Sequence, residues 1–186
     1  MPGMIAAVAL AYALGCANAA YYVVRWRDGR DVRTLGSGTA GARNAGRVLG
    51  RWAFALVFLS DAAKGGLAVL AAHWWVPEAA PLCAVAAVVG HVWPAQLGWR
   101  GGKGVATALG ALAALDVTVL AAVVVVFALL RPLLRRTTPA GIVAFWCAAV
   151  GACWLRPVAT ATVALAIAAL LTFTHRNDLR LSWLRT

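Results

Sequence analysis

Apolar runs fill most of the chain and are separated by short polar clusters. They cover residues 4–24, 52–74, 80–97, 105–115, 117–131, 139–154 and 158–174. Several approach the roughly 20 residues that a helix needs to cross a bilayer. The pattern predicts an all-α fold, a polytopic membrane helical bundle of about seven transmembrane helices forming one domain over residues 1–186. The stretch 105–130 reads either as one long helix or as two short ones broken at Asp116.

Composition supports the membrane reading. Of 186 residues, 63% are hydrophobic and only 12% charged, with a mean hydropathy of +0.81. A soluble domain of this size keeps far more charge on its surface. The net charge of +11, from 17 Lys and Arg against 6 Asp and Glu, would suggest nucleic acid in a soluble protein. Beside membrane spans, basic loops instead set topology and face anionic lipid, so no nucleic-acid partner is expected.

Charge also decides the ambiguous stretch. With seven spans, 15 of the 17 basic residues fall on one face: those of loop 25–51, loop 98–104, loop 131–138 and the tail with Arg176, Arg180 and Arg185. The other face keeps Arg156, and Lys64 lies inside a span. A single helix over 105–130 would export six of those arginines, against the positive-inside tendency. The N-terminus is therefore expected outside and the C-terminus in the cytoplasm, with 105–115 a half-helix packed inside the bundle. Trp26, Trp52, Trp99 and Trp183 fall near the cytoplasmic ends of spans, and Trp74 and Trp75 near outer ends, where indoles anchor. Cys16, Cys83, Cys147 and Cys153 lie in apolar runs without CxxC spacing and read as small core residues. "GCANAAYY" has an A-x-A look, but no basic residue precedes it, so the first run is expected to be retained as a span.

Polar chemistry is concentrated in four places. In "DVRTLGSGTAGARNAGRVLGR", 31–51, read as the longest loop, glycines let backbone N–H groups approach an anion. Ser37, Thr39 and Asn44 add neutral donors there, and Arg43 and Arg47 add forked cations suited to phosphate. In "GGKG", Gly101, Gly102 and Gly104 surround Lys103 just before a helix expected from Val105, whose positive end favours an anion. The Walker spacing is absent, so ATP or GTP is not implied. Composition alone leaves this stretch between a lipid-surface anchor, a tight basic turn and an anion cradle. Asp61 and Lys64, at i and i+3 within a span, can neutralise each other as a structural or a functional pair. His91, in "GHVWP", and His175, in "HRNDLRL", fall on the face of the glycine-basic loops. No nucleophile elbow, metal-ligand cluster or H-x-x-x-x-D spacing occurs, so neither a lipase-type esterase nor a metal site is indicated.

"LGSGTAGARNAGRVLG", "DAAKG" and "GHVWPAQLGWRGGKGVAT", in that order, together resemble the bacterial acyl-phosphate:glycerol-3-phosphate acyltransferases of the PlsY type. The resemblance covers essentially the full length, and the "GGKGVAT" block with its upstream His and Pro is its most specific part. It implies a seven-helix inner-membrane enzyme with its motifs on the cytoplasmic side. Such an enzyme moves a fatty acyl group from acyl phosphate to glycerol 3-phosphate, gives lysophosphatidate for phospholipid biosynthesis, and uses no cofactor. It implies catalytic roles for Ser37, Arg47, Lys103 and His175. It implies substrate-binding roles for Gly38, Thr39, Gly41, Arg43, Asn44, His91, Gly101, Gly102, Gly104, Thr107, Thr138 and Asn177. Thr39 stands where the family has Asn, Arg43 where it has Thr, and Gln96 where it has Phe. The family's S-L-x-S stretch is present only as "TTPAG", with Thr138 and Gly141 at the serine positions. A divergent relative acting on another phosphorylated acceptor, or one without activity, is the alternative these departures raise; the basic face raises that of a non-catalytic protein binding anionic lipid.

Overall fold

The computed structural model describes residues 1–183, and the side chains of residues 1–180. The expected cytoplasmic Arg185 lies outside the described residues, as does the Trp183 side chain. Ten α-helices follow one another with no strand among the described residues: α1 (Pro2–Cys16), α2 (Ala19–Asp28), α3 (Ala42–Leu49), α4 (Arg51–Trp75), α5 (Ala80–Val92), α6 (Val105–Leu115), α7 (Val117–Leu134), α8 (Thr137–Leu155), α9 (Val158–Thr174) and α10 (Arg176–Trp183). Five stretches are long and apolar enough to cross a membrane: Pro2–Asp28, Arg51–Trp75, Pro77–Leu97, Val117–Leu134 and Thr137–Leu155. Val105–Leu115 and Val158–Thr174 are shorter apolar helices. The chain divides into two compact units, Met1–Ala114 and Leu115–Thr186.

In the first unit, small residues let helix backbones touch, the main source of helix affinity within lipid. A Cβ at Gly15 would run into the backbone of Ala87, and one at Gly90 into the backbone of Tyr12. These two glycines seat α1 against α5. The same logic seats α6 on α4, because Gly65 lies against the Thr107 carbonyl and Gly110 against that of Ala62.

Three expectations are corrected. The first span is not one helix: α1 and α2 are separated at Ala17 and Asn18, both in extended conformations. Side chains from elsewhere in the unit answer the backbone groups that this break releases. Lys64 Nζ donates to the Ala17 carbonyl at 2.8 Å, and Gln96 Nε2 donates to that of Cys16. Secondly, the stretch read as one long loop contains α3, with Ala42, Asn44 and Ala45 on its buried side. Thirdly, Cys16 and Cys83 are buried, but Cys147 and Cys153 are exposed. An apolar residue in a spanning helix faces lipid as readily as core, so hydropathy does not separate the two.

In the second unit, the break expected at Asp116 is present. Asp116 caps α7, accepting from the backbone N–H groups of Thr118 at 3.0 Å and Val119 at 3.3 Å. Its second oxygen accepts from Arg156 Nε at 2.6 Å, so the arginine that follows α8 is tied to the start of α7.

Candidate active site

The glycine-rich segment after α2 is shaped around Asn44. The Asn44 amide donates to the carbonyls of Val32 at 2.9 Å, Leu35 at 2.9 Å and Thr39 at 3.0 Å. Its oxygen accepts from the Ser37 backbone N–H at 2.9 Å. One side chain on α3 thus folds residues 32–39 into a closed turn. Gly36 and Gly38 take φ of 53° and 71° within it, the left-handed region that a glycine enters without strain. The Ser37 and Thr39 hydroxyls lie 3.1 Å apart at its exposed rim. Arg43 and Arg47, exposed on α3, present guanidinium groups on the same segment.

The Gly-Gly-Lys-Gly segment is folded back onto the end of α5. The N–H of Gly101 donates to the Val92 carbonyl at 3.0 Å and that of Gly102 to the His91 carbonyl at 3.1 Å. A side chain at Gly101 would strike the His91 carbonyl, and one at Gly102 the His91 ring. Gly104 has φ of 90° and turns the chain into α6, where the Ala108 N–H reaches its carbonyl at 2.8 Å. The first N–H groups of α6 have no partners within the helix and form its positive end, adjoining Lys103 in sequence.

The two segments meet. The Ala40 N–H donates to the Gly101 carbonyl at 3.1 Å, and Gly41 lies next to Gly102. Arg33 makes a second bridge: it pairs with Asp31 through Nη2 at 2.7 Å while Nη1 donates to the Leu97 carbonyl. Hydrogen bonding from the Arg33 fork holds the Asp31 carboxyl below the usual carboxylate range, against the opposing effect of burial. Sequence reasoning counted Arg33 only as a topogenic charge and missed this bridge; its partner in the second segment is 64 positions away. The arrangement gathers hydroxyls, backbone donors and cations, which suits phosphate groups. Among the described residues no cluster of His, Cys, Asp and Glu could hold a metal ion.

The remaining candidates are placed differently. Asn44 and His91 are buried, at 0% and 3% exposure, so each shapes a backbone rather than facing solvent. Asp61 and Lys64 do pair, at 2.8 Å, and His91 Nδ1 joins them 2.9 Å from Lys64 Nζ. Thr107 is buried in the first turn of α6, and its hydroxyl has no hydrogen-bond partner. In the second unit, Thr138 lies half-buried in the first turn of α8. His175 is buried between α9 and α10, its Nδ1 donating to the Leu171 carbonyl at 2.8 Å, which fixes that proton on Nδ1; Asn177 is exposed on α10.

Comparison with known proteins gives the same reading from outside the chain. The glycerol-3-phosphate acyltransferase family model matches residues 5–183. Glycerol-3-phosphate acyltransferase 1 of Desulfitobacterium hafniense is 41% identical over 174 residues, covering 91% of this chain and 86% of the relative. Among solved structures, PlsY, an integral membrane glycerol 3-phosphate acyltransferase in its glycerol 3-phosphate form, superposes with a TM-score of 0.87 at 31% identity. That alignment covers 95% of this chain and 90% of the other. The lysophosphatidic acid form of PlsY aligns with a TM-score of 0.83 at 30% identity over the same shares. With its motif segments docked as described and residues 5–183 matched, the chain belongs to the glycerol-3-phosphate acyltransferase family of integral membrane proteins.

Proposed function

We propose that the protein transfers a fatty acyl group from an acyl phosphate to glycerol 3-phosphate, giving lysophosphatidate. One observation carries the reading: the hydroxyl-bearing turn at 36–41 and the Gly-Gly-Lys-Gly turn are hydrogen-bonded to each other through Ala40 and Gly101. Two phosphorylated substrates need two such sets of donors side by side. Family membership and the ligands named for the two PlsY forms support glycerol 3-phosphate as the acceptor and lysophosphatidate as the product.

An acyl phosphate is a mixed anhydride and is already activated, so no protein nucleophile is required. The acceptor hydroxyl attacks the acyl carbonyl carbon, the bond from that carbon to the phosphate oxygen breaks, and the departing phosphate takes the hydroxyl proton. Ser37, Gly38, Thr39 and the backbone at Gly41 hold the acyl-phosphate end. Arg47 and Lys103 hold the acceptor's phosphate. Orientation of the two substrates supplies much of the rate, and donors aimed at the developing oxyanion supply more. The reaction runs at the cytoplasmic face of a bacterial plasma membrane, a placement supported by the basic residues gathered on one set of loops.

The test is lysophosphatidate formation by purified protein given acyl phosphate and glycerol 3-phosphate. Lys103→Ala is expected to lower the rate by about 100-fold, the scale of one lost transition-state donor. Full activity in that variant overturns the role of Lys103. Lys103→Arg distinguishes a shaped site from a charged surface: a surface tolerates the exchange, whereas a site built for a compact ammonium does not.

A further inference from the structure

Three ionisable side chains lie inside the first unit, away from the rim where substrate would sit. Asp61 is 1% exposed, His91 3% and Lys64 7%. Charged groups within a membrane span are expensive and are retained where they act. Asp61 and Lys64 could neutralise each other without further partners. Instead the cluster also reaches the Ala17 carbonyl, through Lys64, and Gly102, through the His91 ring.

Lys64 Nζ pairs with Asp61 Oδ1 at 2.8 Å, approaches His91 Nδ1 at 2.9 Å and donates to the Ala17 carbonyl at 2.8 Å. His91 Nδ1 is also 3.4 Å from Asp61 Oδ1. The far side of the His91 ring, at Nε2, abuts Gly102 so closely that a Cβ there would overlap it. The His91 carbonyl accepts from the Gly102 N–H at 3.1 Å and from Asn18 Nδ2 at 3.1 Å. Gly65, next to Lys64 on α4, is the glycine that seats α6 through the Thr107 carbonyl. One turn of α4 therefore fixes both the His91 ring behind Gly102 and the helix that begins after Gly104.

From this geometry we infer that Asp61, Lys64 and His91 are positioning residues: together they hold the 101–104 turn in the shape that receives the acceptor's phosphate. The inference rests on the reading that this turn binds glycerol 3-phosphate. None of the three touches substrate. Their effect passes through His91 to Gly102 and so to Lys103, and it falls on acceptor binding more than on the donor or on chemistry.

The test removes both charges together, because a single removal leaves an unpaired buried charge and endangers the fold. Asp61→Asn/Lys64→Met is compared with wild type in steady-state kinetics and in calorimetric binding of glycerol 3-phosphate. The KM and the calorimetric Kd for glycerol 3-phosphate are expected to rise about 10-fold, with KM for acyl phosphate within about twofold and kcat within about threefold. His91→Gln, which adds no charge, is expected to show the same selectivity for the acceptor. Unchanged acceptor affinity in these variants overturns the inference, and so does an equal weakening of both substrates. A wild-type protein that binds glycerol 3-phosphate but forms no lysophosphatidate overturns the proposed reaction instead, leaving the calorimetric comparison to judge the cluster.

Discussion

Asn44 has 0% exposure, and its side chain satisfies three carbonyls and one N–H. Asn44→Ala leaves those groups unmatched, and at about 1–3 kcal/mol for a buried unsatisfied group the loss is expected to exceed 2 kcal/mol. Thermal unfolding in detergent would register it as a lower Tm, and lysophosphatidate formation should fall because Ser37 and Thr39 lose their frame. Unchanged stability would show that the turn holds itself. The sequence identified Asn44 as a polar residue of the site, but that its side chain is spent on the backbone of the turn was not legible, since its partners lie 5 to 12 positions away. Asp61 and Lys64 were legible as a pair because three residues is nearly one helical turn. That His91 completes the cluster was not legible, since only the folding of α5 beside α4 brings it across 27 positions.

Helices differ in how openly the sequence declares them. The short α6 was visible from its apolar run and from the charge balance at Asp116. Eight-residue α3 was hidden, because its Gly46 and its polar residues give a loop's composition. Packing makes it a helix: Gly46 lies against Phe54 of α4, and Ala42 and Ala45 are buried. The seam between α4 and α6 is the element on which the cradle rests. Gly110→Leu would drive a branched side chain into the Ala62 backbone. Both Tm and acyl transfer are expected to drop in this variant, whereas Gly151→Ala on α8, with no atom within 4 Å of its added Cβ, should change neither. Equal behaviour of the two would mean that the seam tolerates separation.

For the whole molecule, hydropathy and the distribution of arginines determine the class of fold, because lipid demands long apolar helices and translocation disfavours basic loops. Orientation is the corresponding prediction. Single cysteines placed at Arg30 and at Arg136, in a background lacking the native four, should react with a membrane-impermeant thiol reagent from the cytoplasmic side. One placed at Arg156 should react from the outside. The reverse pattern would invert the topology, and labelling of all three from one side would remove the seven-span arrangement.

The lengths of α5 and α6 bear on what supports the 101–104 turn. At 1.5 Å per residue, 13 and 11 residues rise about 20 and about 16 Å, while α4, with 25 residues, rises about 37 Å. The hydrocarbon layer is about 30 Å thick. Of these three helices α4 alone is long enough to cross that layer, and both short ones lean on it: α6 through Gly65 and Gly110, α5 through the Asp61, Lys64 and His91 cluster.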